Sequence, residues 1–161
     1  MATLPVKAIL QMTNYSGHHG LLGAEAPTQT FKYGNLISPN ASGLYQETAV
    51  GAGAATARNK LAAADGQNSA TPSSSLPYVD PTDDSTFAIT LISTTAPVAA
   101  NLIPGTRYGL GKDAATGIHG ALFTDTVNQV WELVAYDGKT VRRGVVGTDL
   151  NIEVYAKLLA R

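Results

Sequence analysis

Residues 85–93, STFAITLIS, put Phe87, Ile89 and Leu91 on one face and Ala88, Thr90 and Ile92 on the other. A two-residue period belongs to a β-strand, because a helix brings together residues three and four apart. The pattern persists to the end of the chain. Pro97 and Pro104-Gly105 bracket a connection, then RYGLG leads through a KDAATG turn into GIHGALF. VNQVWELVAY is rich in β-formers, and Asp137-Gly138 after it is a strong hairpin signal. At the close, Leu150, Ile152 and Val154 alternate with Asn151, Glu153 and Tyr155. Short strands this closely spaced, with glycine turns between them, form small barrels or sandwiches. The predicted fold class is mainly β: a small β-barrel or β-sandwich with an extended N-terminal arm and at most one or two short helices.

The rest of the chain is less regular. Residues 1–28 are predicted as the arm: Pro5 has no donor for a sheet ladder, and Gly17, Gly20, Gly23 and Pro27 punctuate too densely for a helix. Residues 29–161 are then a single β-rich domain. Within it, FKYGNLI, the turn SPNASG and LYQETAV read as strand, turn and strand. Residues 51–84 read as an insertion rich in Ala, Ser and Pro. Ala, Arg, Lys and Leu favour a short helix at about residues 54–64, and the low-complexity run to Asp84 reads as a long surface loop. No internal repeat of fixed period is visible.

Composition excludes several classes of function. Only 14% of residues are charged, against roughly 25% in an average soluble protein, and the net charge is −1. A chain without basic clusters is not expected to hold a nucleic-acid backbone or an anionic membrane. With no Cys there is no disulfide framework, thiolate nucleophile or Cys-based zinc site, which suits a reducing compartment. The opening MATLPVKAILQM is too short and interrupted for a secretory apolar core, and no apolar run approaches the roughly 20 residues of a membrane span. The sequons at Asn14 and Asn40 are then coincidental.

The chemical motifs are incomplete. Gly51-Ala52-Gly53 begins a dinucleotide fingerprint, but Thr56 stands where the third glycine belongs. Gly111-Lys112 lacks both the first glycine of a phosphate loop and the Ser or Thr after the lysine. His18 and His19 have no third ligand at metal-site spacing, and Asp80, Asp83 and Asp84 lack the glycine and terminal Glu of a calcium loop. No nucleophile elbow accompanies His119. The expectation is no enzyme, no cofactor and no metal. His119, Trp131, Arg142 and Arg143 are the candidate interface residues. For Trp131 the core is the favoured place, and the arginines could meet an acidic patch on a partner.

PGTRYGLGKDAATG, the strand through Phe123, VNQVWELVAYDGK and the closing LNIEVYAKLL are similar to tailed-bacteriophage head decoration proteins, also called capsid cement proteins. FKYGNLISPNASGLYQETA resembles the early strand–turn–strand of that family. The resemblance implies a non-enzymatic virion protein, made in the host cytoplasm and bound in many copies to major capsid protein on the head exterior, most often as a homotrimer. It also implies that the arm crosses the shell through Leu4, Pro5, Val6, Ile9, Leu10, Tyr15, Leu21 and Leu22, and that the barrel folds without it. The alternatives are another virion subunit, of the tail or of head completion, or a carbohydrate-binding β-sandwich exposing Tyr33, Tyr45 or Trp131. Low charge fits a surface covered by neighbours, since ordering and desolvating Lys and Glu is costly.

Overall fold

The computed structural model describes residues 1–12, 18–52, 58–82 and 84–159, with the side chains of residues 18–20 left aside. Twelve strands follow one another along the described chain: β1 (Leu10–Gln11), β2 (His18–Glu25), β3 (Leu36–Pro39), β4 (Tyr45–Glu47), β5 (Lys60–Ala62) and β6 (Ser73–Asp80), then β7 (Phe87–Ile92), β8 (Arg107–Lys112), β9 (His119–Leu122), β10 (Gln129–Leu133), β11 (Val141–Arg143) and β12 (Glu153–Leu158). The fold is mainly β, and its strands close into two barrels.

The first barrel runs β2-β4-β3-β5-β6 and back to β2. In the second, β7 pairs with both β9 and β12, which closes the ring β7-β9-β8-β10-β12. β1 and β11 lie outside that ring, on β7 and β12.

The two rings have the same connectivity. Laid over β7, β8, β9, β10 and β12, strands β2 to β6 reproduce every pairing: first with third parallel, and the other four neighbours antiparallel. The β3–β4 and β8–β9 hairpins correspond even in their turns. Each passes through a left-handed glycine, Gly43 at φ 76° or Gly117 at φ 72°, a conformation that costs glycine nothing. Each is pinned by the side chain that opens it: Asn40 accepts from the Ser42 and Leu44 amides, Asp113 from the Thr116 amide. The sequences NASGL and DAATGI share this plan with little identity.

The second barrel holds the main core, with Phe87, Ile89, Leu91, Leu110, Trp131 and Val154 buried in one cluster. Ile9 and the first barrel's Leu36 and Leu61 join it, so the apolar interior runs between the barrels. Inside the first barrel a smaller cluster gathers Phe31, Ile37, Ala62 and Leu76. The Asp137-Gly138 hairpin forms as expected, with paired bonds between Tyr136 and Lys139.

Three expectations are corrected. Residues 2–12 do not form a free arm: Leu4 N donates to Leu150 O, Val6 and Ile9 are buried, and β1 pairs with β7. Further on, β2 is a wall of the first barrel. The helix predicted over 54–64 is replaced at Lys60–Ala62 by β5, while residues 53–57 lie outside the described part. Leu61 and Ala62 are buried between β3 and β6, and that packing outweighs weak helix propensity. The predicted loop before Asp84 contains the eight-residue β6. Its Ser and Pro content reads as loop, yet Leu76 is fully buried and β2 and β5 pair with β6 from both sides.

Candidate functional site

Where the two corresponding hairpins meet, a polar cluster joins the barrels. Asn35, one residue before β3, is buried and spends both ends of its carboxamide across the junction. Its Nδ2 donates to Glu47 Oε1 and to Gly117 O, each at 2.9 Å, and its Oδ1 accepts the His119 amide at 2.9 Å. The Leu36 amide donates to His119 Nδ1 at 3.0 Å. With Nδ1 accepting, the ring N–H falls to Nε2. Nε2 lies 3.2 Å from Glu47 Oε1, but it is not aligned as a well-formed hydrogen bond. Lys112 Nζ completes the set at 2.7 Å from Glu47 Oε2. Burial pushes the Glu47 carboxyl up, but the His119 ring and the Lys112 ammonium outweigh it and hold the group at about 2. His119 is therefore a buried junction residue and does not reach an outer surface.

A second cluster surrounds Glu153 on β12. Its carboxylate is nearly buried and meets Arg142 Nη1 at 2.5 Å, Arg143 Nη1 at 3.2 Å and Lys7 Nζ at 3.9 Å. The two arginines, read from sequence as facing a partner, are thus held by this chain's own acid while remaining partly exposed. Beside them a cleft of about 410 Å³ opens over β7 and β12.

A third feature is apolar. The β7–β8 connection exposes Val98 and Ile103, and the β11–β12 loop exposes Val145 and Val146. Gly147 N donates to Pro97 O at 2.8 Å and ties the two loops together. Residues 93–106 and 144–148 contain no charged side chain.

The remaining candidates divide by burial. Trp131 is fully buried, its ring 6.0 Å from Phe87 in an edge-on packing, so it serves the core. Among the expected arm residues, Val6 and Ile9 are buried, Leu4 and Leu21 are half-buried, and Pro5, Leu10 and Leu22 are exposed. Tyr15 lies outside the described residues. Of the aromatics named for the carbohydrate alternative, Trp131 is buried, Tyr45 is half-buried with its ring 4.9 Å from Tyr78 and tilted by 40°, and Tyr33 is exposed.

Asn35, Glu47, Lys112, Lys7 and Glu153 carry these clusters and were not legible as site residues. Their partners are remote in sequence, 82 residues apart for Asn35 and Gly117, and no local motif encodes such a meeting. Among the described residues no group of three or more His, Cys, Asp or Glu side chains could hold a metal, and no helix is long and apolar enough to cross a membrane. No family model, curated protein or solved structure matches the chain.

Proposed function

We propose that this chain is a non-enzymatic structural protein of a tailed-phage head, bound in many copies to major capsid protein on the outside of the shell. The observation that carries the reading is the set of exposed apolar residues Val98, Ile103, Val145 and Val146, displayed on two loops braced by Gly147 and Pro97. Uncharged apolar groups form the centres of protein interfaces, whereas Lys and Glu are depleted there. The sequence resemblance and the 14% charge content support the same assignment.

In this reading the contact is made by the rigid loop end of the second barrel, since residues 2–12 are committed to the chain's own sheet. Ligands that bind only the assembled state stabilise it by mass action, so many copies on a mature shell would resist its disassembly. Trimer formation at threefold positions belongs to the proposal.

The test is to mix the purified protein with phage heads that lack it and image the product. Regular exterior density at symmetry-related positions, reduced by Val145→Asp with Val146→Asp, is the expected result. Density confined to tails would favour the alternative virion subunit, and an absence of binding to any virion part would overturn the proposal.

A further inference from the structure

We propose that the cleft over β7 and β12 is a docking site for an acidic segment of a partner protein, with Arg142 and Arg143 as its carboxylate anchors. This inference rests on charge and shape alone and is independent of the shell reading.

The floor of the cleft follows from the β7 alternation. Phe87, Ile89 and Leu91 fill the barrel core, so Ala88 and Thr90 lie on the opposite face, where both are buried beneath residues 7–10 and form the base of the cleft, with Thr90 Oγ1 accepting the Lys7 amide. Leu10 on β1 stands at its rim, 48% exposed. Arg142 and Lys7 line it, with Glu153 between them.

Charge is over-compensated here. A nearly buried carboxylate needs a charged partner. Glu153 has two arginines and a lysine, giving an excess of two positive charges around one acid. Each guanidinium reaches Glu153 through one nitrogen, while its side chain remains 36% or 43% exposed. A guanidinium carries five N–H donors in a rigid plane, and the outer edge of such a fork matches a carboxylate in bidentate geometry. Glu153 therefore acts as a clamp, holding two long side chains in place and reducing the rotamer entropy lost when an external acid binds.

The geometry favours a carboxylate on a peptide over a phosphodiester chain. Lys7 and Arg142 line the cleft and Arg143 joins them on Glu153, a compact group that does not extend along a stripe able to follow a nucleic-acid backbone. The Leu10 rim offers an apolar contact beside the charge, as a peptide with neighbouring acidic and apolar side chains requires.

The experiment titrates isotope-labelled full chain with acetyl-Leu-Glu-Glu-Leu-amide, its Gln-Gln counterpart and inorganic phosphate, following the arginine Nε–Hε signals and the Ala88 and Thr90 amides by NMR. The acidic peptide should shift all of these saturably, and binding should weaken steeply with salt. The Arg142→Gln, Arg143→Gln double variant should bind about tenfold more weakly or worse. Should that variant unfold, Lys7→Gln provides the second measure: its ammonium is exposed and 3.9 Å from Glu153, and a loss of about twofold to threefold is expected. Equal binding of the Gln-Gln peptide, tighter binding of phosphate, or unchanged affinity in the variants would each overturn the proposal.

Discussion

His119 Nδ1 accepts the backbone hydrogen of Leu36 across the junction of the two barrels, at 3.0 Å and with both groups fully buried. One ring nitrogen from β9 thereby serves the first residue of β3, whose own barrel leaves that amide to its neighbour. Asn35, beside Leu36, adds two further bonds over the same boundary, to Gly117 O and from the His119 amide, and a third to Glu47 within its own barrel. The junction is polar at a point where a continuous apolar core would otherwise let the barrels slide, and directional bonds fix their register.

Asn35→Ala should therefore loosen the whole molecule rather than one loop. It leaves the Glu47 carboxylate, the Gly117 carbonyl and the His119 amide each short of a partner. At about 1–3 kcal/mol for a buried unsatisfied group, with partial relief by water, the expected loss is at least about 2 kcal/mol in urea unfolding. A change below about 0.5 kcal/mol would refute the latch.

Acid should act through Glu47. Its folded value of about 2 lies below its ordinary 4.5, so its stabilisation is fully present above about pH 4.5 and is lost as pH falls toward 2. The shift corresponds to an upper bound of about 3 kcal/mol, because the Lys112 ammonium that helps to hold the value down is partly exposed and screened by solvent. Chemical unfolding measured between pH 5 and 2 should fall more steeply for the native chain than for Glu47→Gln; parallel curves would exclude the effect.

Ile9 and Leu22 separate the structural from the exposed part of the N-terminal region. Ile9→Ala empties a site in the shared core and should cost about 2–4 kcal/mol, whereas Leu22→Ala, at a position 66% exposed, should stay within about 0.5 kcal/mol. Thermal unfolding of the two variants checks this, and a similar small effect in both would restore the detachable arm.

Trp131→Ala should destabilise by about 3–5 kcal/mol, through loss of a fully buried ring and its edge contact with Phe87. Calorimetry should show the loss in the isolated chain, without any partner. An unchanged melting temperature would return Trp131 to the surface.

Gly120→Ala tests a close approach. A Cβ at Gly120 would collide with the backbone carbonyl of Thr90, which cannot swing aside as a side-chain end could. Expression of folded protein should drop sharply, whereas an alanine at Gly43 meets nothing within 4 Å and suffers only the strain of its positive φ. Equal tolerance of the two substitutions would contradict the packing of β9 against β7.

Read as sequence, the chain determined what depends on near neighbours. The alternation at residues 87–92 specified a strand with a buried face, Asp137-Gly138 specified a hairpin, and dense Gly and Pro specified short elements and hence a β fold. Tertiary structure decided what depends on distant partners. Ser73–Asp80 became a strand because β2 and β5 supply its hydrogen bonds and its Leu76 has a core to enter. Lys60–Ala62 left helix propensity behind for the same reason. The repeated barrel was illegible because topology requires only that strands pair in the same order, and many side chains satisfy each pairing. The clusters at His119 and Glu153 were illegible for a sharper reason. Chain closure brings Leu36 to His119 between the barrels and Lys7 to Glu153 within the sheet of the second, and those distances exist only in the folded chain.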